Sequence, residues 1–188
     1  MKLIRLHKKK IDDFIDDLRA NKRSAQQEVY QLVSAKMLAV CCQYVKDIHY
    51  AEDVMISGFM KVFTQINQYQ NKGSFEGWIR RIMVNEAISY LRSKKEINYL
   101  EDLVVIEEVT TIDYDLSMED LELLINQLPE GCRMVFNLFV VEGYKHHEIA
   151  EMLQIQEGTS KSQLAQARKL LQYQLEQLKQ RGVWNGMK

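Results

Sequence analysis

An all-helical protein is what this sequence predicts, on three grounds. The 188 residues include one proline and eight glycines, too few to punctuate the short strands and hairpins of a sandwich or barrel. Met, Leu, Gln, Lys and Glu are abundant, and all are good helix formers. Apolar residues return at three- and four-residue spacing in one segment after another. At 46% hydrophobic and 27% charged, the chain can bury the core of one or two domains of ordinary size.

Ile11, Phe14, Ile15 and Leu18 form the stripe of a first helix over 11–20. A second is predicted over 24–48, with Val29, Leu32, Val33, Leu38, Val40, Cys41 and Val45 apolar. Ser24 followed by Gln27 spells its capping box. The run 51–69 makes a third, with Val54, Met55, Phe59, Val62, Phe63 and Ile66 apolar, and stops at the loop Gln70-Asn71-Lys72-Gly73. Ser74 then caps a fourth helix through about residue 95, with Phe75, Trp78, Ile79, Ile82, Met83, Ala87, Ile88 and Leu91 apolar and a basic tail.

In the second half, 120–127 is helical and stops at Leu128-Pro129, where a proline can open the next helix, 130–141. Glu142-Gly143-Tyr144 breaks the chain. A short helix over 145–153 turns its Ile149, Ala150 and Leu153 inward, and Gln154-Ile155-Gln156 leads tightly into a long helix over 157–180. Two helices joined by a short turn, with the small Ala150 where they cross, spell a helix-turn-helix.

The formal charge of -1 hides an uneven distribution. Residues 96–130 carry eleven acids and no Lys or Arg, so the rest of the chain is 25 basic against 15 acidic. Like charges in one block repel and extend the chain. The parse is therefore a four-helix domain over 1–95, an acidic linker over 96–116 and a helix-turn-helix domain over 117–188, although an acidic block also suits a solvated helix face.

Both domains offer a face for nucleic acid. From Gly73 to Lys95 the fourth helix carries five bases against two acids, interleaved with aromatics: Trp78, Arg80, Arg81, Asn85, Tyr90, Arg92, Lys94 and Lys95. Cations suit a phosphate backbone and ring faces suit unstacked bases, as binding to strand-separated DNA requires. In the last helix, an inward stripe of Ser160, Leu164, Ala167 and Leu171 leaves Thr159, Lys161, Ser162, Gln163, Gln166 and Lys169 outward. Lys and the helix N-terminus suit phosphate, and Gln suits adenine in a major groove. Taken singly, each face also fits an ordinary solvated helix.

Together the motifs resemble a known family. Ala51-Glu52-Asp53-Val54 comes first, then Gly73-Ser74-Phe75-Glu76-Gly77-Trp78-Ile79-Arg80-Arg81-Ile82 running into Asn85-Glu86-Ala87-Ile88-Ser89-Tyr90-Leu91-Arg92. Leu128-Pro129, Glu148-Ile149-Ala150 and Glu157-Gly158-Thr159-Ser160-Lys161-Ser162 follow. In this order and spacing they look like a sigma-70 family factor of the extracytoplasmic-function type, over residues 24–180. The resemblance implies a promoter-recognition subunit of bacterial RNA polymerase. Its first domain would bind the clamp of the largest polymerase subunit through the Ala51–Phe63 helix, with Glu52, Asp53 and Phe59 at the interface. The Gly73–Lys95 segment would open the -10 element, and the loop Tyr69–Ser74 would capture a flipped base. The second domain would read the -35 element with the Thr159–Lys169 helix, the polymerase flap would be a further contact, and the acidic linker would thread the polymerase's basic nucleic-acid channels. Many family members also have an anti-sigma partner.

The chain departs from the family pattern at named positions. Ile56-Ser57 stands where the clamp-contacting helix usually has Gln-Glu, and Ser89 where Asp is usual. Gln154 replaces the turn glycine, Gln156 the Ser cap and Ser160 a buried Val. A non-glycine turn residue and a poor cap each cost on the order of 1 kcal/mol, which predicts a marginal second domain. Gln163 and Gln166 replace residues that are often Arg, so weaker phosphate attraction is expected.

Other features exclude other functions. No apolar stretch approaches a membrane span, and the basic N-terminus meets Ile11-Asp12-Asp13 rather than an apolar signal region, which predicts a cytoplasmic protein. Cys41, Cys42 and Cys132 match neither a disulfide framework nor a zinc spacing, and read as reduced, small apolar residues. His146 and His147 point about 100° apart on a helix and have no third ligand, so surface or phosphate contact is expected of them. There is no nucleophile with a base, no phosphate-cradling glycine loop and no paired carboxylate, hence no enzyme, no metal and no cofactor is expected. A duplex-binding dimeric regulator and a helical adaptor without a DNA role are the alternative functions.

Overall fold

The computed structural model describes residues 10–94 and 118–180. These are helical, with no strand among them. The chain divides after Lys94 into two compact units. Lys95 and the acidic segment 96–116 lie outside the described residues.

In the first unit a 3-10 turn, Ile11–Phe14, opened by a bond from the Lys10 amide to Asp13 Oδ2 (2.8 Å), leads into α1, Ile15–Arg19. Three longer helices follow: α2 over Arg23–Cys42, α3 over Ile48–Thr64 and α4 over Phe75–Lys94, with a short 3-10 turn Ile66–Gln68 between the last two. Each packs on the other two. Val29, Val33, Met37 and Val40 of α2 meet Val54, Phe59 and Val62 of α3 and Ile79, Met83 and Ala87 of α4 in a core where all are buried. At the α3–α4 crossing stands Gly58, where a Cβ would overlap Met83 Sδ. The missing side chain is what lets the two helices approach.

Several helix ends differ from the sequence expectation: the first helix is a 3-10 turn followed by Ile15–Arg19, and the third spans Ile48–Thr64 rather than 51–69. The second helix stops at Cys42 rather than 48, because Asp47 is taken up in starting the next one: its Oδ1 accepts from the amides of His49 (2.9 Å) and Tyr50 (3.2 Å). Ser24 lies inside the first turn of α2, one residue beyond its opening Arg23, and does not cap it. Ser74 does cap α4, accepting from the Gly77 amide at 3.0 Å.

In the second unit α5 spans Met118–Asn126 and α6 Glu130–Phe136. The Pro129 carbonyl accepts from the Arg133 amide (2.9 Å) to start α6, which then widens into a π-helical turn over Asn137–Val141. Helix α7, His146–Leu153, is opened by a bond from the Lys145 amide to Glu148 Oε2 (2.8 Å), and α8 runs over Glu157–Gln180. Between them Gln154 takes the left-handed conformation (φ 57°) that a turn glycine would take. Leu124, Leu128, Cys132, Leu138, Ile149, Leu153, Leu164 and Ala167 are buried in this unit. Among the described residues no helix is long and apolar enough to cross a membrane, and no group of His, Cys, Asp or Glu could hold a metal.

Candidate nucleic-acid interface

Helix α4 turns Phe75, Ile79, Met83, Ala87, Ile88 and Leu91 into the core, which leaves Trp78, Arg81, Asn85, Ser89 and Arg92 on one outward stripe. Trp78 is half-buried and the other four are exposed. Both acids of the helix are engaged elsewhere, Glu76 with Lys36 of α2 and Glu86 with Lys61 of α3. The stripe therefore carries cations and amides without a carboxylate. Arg80 is half-buried, with Nη2 3.4 Å from Gln43 Oε1. Tyr90 is half-buried too, its ring 5.7 Å from that of Tyr50. Lys94 turns toward this pair, with Nζ 4.6 Å from the Tyr50 centroid and 5.6 Å from that of Tyr90. Of the eight predicted residues, Lys95 lies outside the described residues.

At the N-terminal end of α4 an aromatic cluster supports the loop before it. The Tyr69 ring is buried 5.1 Å from Phe75 and 5.5 Å from Trp78. Its hydroxyl donates to the Gly73 carbonyl (2.8 Å) across the exposed loop Gln70–Ser74.

On α3, Glu52 and Asp53 are exposed, whereas Phe59, expected at the interface, is buried: it is 3% exposed, its ring against Tyr30 (4.9 Å) and Phe63 (5.9 Å). It stands one residue off the outward face, and the aromatic stack draws it into the core. Ile56 and Met60, at the outward helical spacing from Glu52, are the exposed apolar residues there.

On α8, Lys161, Ser162 and Lys169 are exposed and Thr159 and Gln166 half-buried. Gln163, expected outward, instead points inward, 6% exposed, and accepts a hydrogen bond from the Cys132 thiol (3.0 Å). Burial pushes that thiol up to about 11, so it keeps the proton it donates. Arg168, missed in the sequence reading, is exposed one helical turn from Ala165 and beside Lys169, so the outward face runs Lys161, Ser162, Ala165, Arg168, Lys169. The three-residue step from Ala165 could have revealed it. Lys161 Nζ bonds Glu157 Oε1 (2.7 Å), which holds that carboxyl below its ordinary range.

His146 is half-buried rather than free on the surface. Its ring stacks on Phe139 (centroids 4.5 Å, 23°) and Nδ1 lies 2.9 Å from Ser160 Oγ, while His147 is exposed. The buried hydroxyl at 160 thereby gains a partner.

Comparison with known proteins follows the same division. Residues 29–97 match the family model for sigma-70 region 2, and residues 118–171 that for sigma-70, region 4. The chain is 25% identical over 179 residues to the ECF RNA polymerase sigma factor SigW of Bacillus subtilis, covering 87% of this chain and 96% of that one. It is 26% identical over 141 residues to the ECF RNA polymerase sigma-E factor of Haemophilus influenzae, covering 67% and 75%. In fold it is similar to CnrH, solved in complex with the cytosolic domain of CnrY, with a TM-score of 0.50, 14% identity, and 89% of this chain and 98% of that one covered. The chain thus belongs to the sigma-70 family, as a promoter-recognising initiation factor of the extracytoplasmic-function type.

Proposed function

We propose a division of labour within this sigma factor, carried by the carboxylate-free outward stripe of α4. The stripe Trp78, Arg81, Asn85 and Arg92, with Arg80, Tyr90 and Lys94 around it and Lys95 next in sequence, takes the -10 element as it opens. Phosphates go to the cations and unstacked bases to the rings and amides. The loop Gln70–Ser74 captures one extruded base, which offsets an unstacking cost of a few kcal/mol. Region 1–95 does this work and also docks core RNA polymerase through Glu52 and Asp53, with exposed Ile56 adding apolar burial where the family pattern is polar and exposed Met60 one turn further on. Region 117–188 reads the -35 element with Lys161, Ser162, Arg168 and Lys169, flanked by Thr159 and Gln166. The acidic segment 96–116 links the two and follows the polymerase's basic channels. The factor works by binding alone, without turnover chemistry, in the cytoplasm where polymerase and chromosome meet.

The test is run-off transcription with core RNA polymerase on genomic fragments, with and without the protein, sequencing the 5′ ends. New start sites that share two upstream elements are expected. If a core that another sigma factor activates yields none, the assignment of these faces fails.

A further inference from the structure

The loop Gln70–Ser74 is exposed at every position, and Asn71 and Gly73 within it take left-handed backbone (φ 56° and 81°). Such a loop keeps one shape only if its ends are tied. Tyr69 ties it from beneath, through its buried ring and the bond from its hydroxyl to the Gly73 carbonyl. A second tie comes from a distant part of the chain. Arg19, the last residue of α1 and 50 positions away, donates from Nη2 to the Tyr69 carbonyl at 3.0 Å. Its Nη1 lies 3.3 Å from Asp16 Oδ1. The Arg19 side chain is only a third exposed, so this charge-assisted bond is made in a partly desolvated place, where it is stronger than in open water. A guanidinium can hold both partners at once with a planar fork, which an ammonium cannot. Arg19 also lies outside the residues 29–97 that match region 2.

We propose that Arg19 is a positioning residue for promoter opening: it holds Tyr69, and through Tyr69 the loop Gln70–Ser74, in the shape that receives the extruded base. The proposal rests on the assignment of base capture to that loop. A loop already in its receiving shape spends none of the capture energy on ordering itself, so loosening the anchor weakens discrimination at the captured base more than it weakens anything else.

The experiment is transcription initiation with core RNA polymerase from a promoter library randomised through the -10 and -35 elements. It compares the unaltered protein with Arg19→Gln, Arg19→Lys and Gly73→Val. Arg19→Gln is expected to reduce the base preference at one -10 position by about tenfold. Preferences in the -35 element and retention on core polymerase should stay as they were. Arg19→Lys, which keeps one donor, should fall between the two. An equal loss across all bases, or an unchanged preference, overturns the proposal, because a stabilising residue alone would not single out one base position. Should Arg19→Gln fail to fold, Arg19→Lys decides by the same two outcomes. Gly73→Val tests the underlying assignment: if it too leaves every preference intact, the loop reads no base and both ideas fall. If it flattens one preference while the Arg19 variants do not, only the role of Arg19 falls.

Discussion

The hydroxyl of Ser160 lies 2.9 Å from Nδ1 of His146, joining the core side of α8 to the start of α7. Ser160 is fully buried and His146 half-buried, so removing the imidazole strands the hydroxyl. Ser160→Ala is expected to lower stability by about 1–2 kcal/mol. In a cycle with His146→Phe, which keeps the stack on Phe139, a coupling of about 0.5–1.5 kcal/mol should appear. Urea midpoints of the four proteins measure it, and strictly additive losses would count against the bond.

Gln154 carries a side chain in a conformation that costs about 1–2 kcal/mol for most residues. Gln154→Gly should therefore raise the thermal midpoint, with a gain of about 0.5–1 kcal/mol after the extra freedom of the unfolded glycine is counted. Scanning calorimetry decides, and a lowered midpoint would show that the Gln side chain makes a compensating contact.

Gly58→Ala is expected to force Met83 to move. A methyl there meets Met83, which is fully buried, and repacking should cost about 1–3 kcal/mol despite the better helix propensity of alanine. Gly58→Ala combined with Met83→Ala should lose less than the sum of the two single changes, as chemical denaturation would reveal.

Lys161 and Lys169 lie on the outward face of α8, whereas Gln163 is turned inward. Lys161→Glu and Lys169→Glu are expected to weaken promoter binding and to make the salt slope shallower by about one for each phosphate left unneutralised. Gln163→Ala should instead destabilise the protein and leave the -35 base preference as it was, since Gln163 faces Cys132. Salt-titrated binding of the holoenzyme to promoter fragments measures the first, and a randomised -35 library the second.

The buried thiols set a limit at high pH. Burial pushes Cys41 up to about 12 and Cys132 to about 11 from an ordinary 9.0. The folded chain thus keeps protons that the unfolded chain releases, and stability that is complete below pH 9 declines as pH rises toward 11–12. The slope is roughly 1.4 kcal/mol per pH unit for each thiol. Iodoacetamide at mildly alkaline pH should modify half-buried Cys42 first and reach the other two only on unfolding, which mass spectrometry of the labelled peptides can follow.

Much of this was legible in the sequence, because period and spacing report which face of a helix is buried. The core stripes of α3 and α4, the Ser74 cap and the inward turn of Ser160 all follow from local pattern. What escaped depends on partners distant in the chain. Phe59 and Gln163 each stand at the margin of a stripe, and a ring of α2 in one case and a thiol of α6 in the other decide that they turn inward. Ser24 resembles a cap, but the chain enters α2 two residues earlier, with Lys22 at the cap position. Asp47 is read as mid-helix until the amides of His49 and Tyr50 claim it. Arg19 gave no local sign at all, since its acceptor is a backbone carbonyl 50 residues on.

The bare backbone at Gly58 has a mechanical consequence. Where helices meet through long side chains, one can slide by a rotamer change before the other responds. At Gly58 the backbone of α3 meets a single thioether, that of Met83 of α4, in a close-packed core. The spacing between the helix that presents Glu52 and Asp53 and the helix that presents Arg81 and Asn85 is thus set at this point by one side chain, where most helix crossings interleave two.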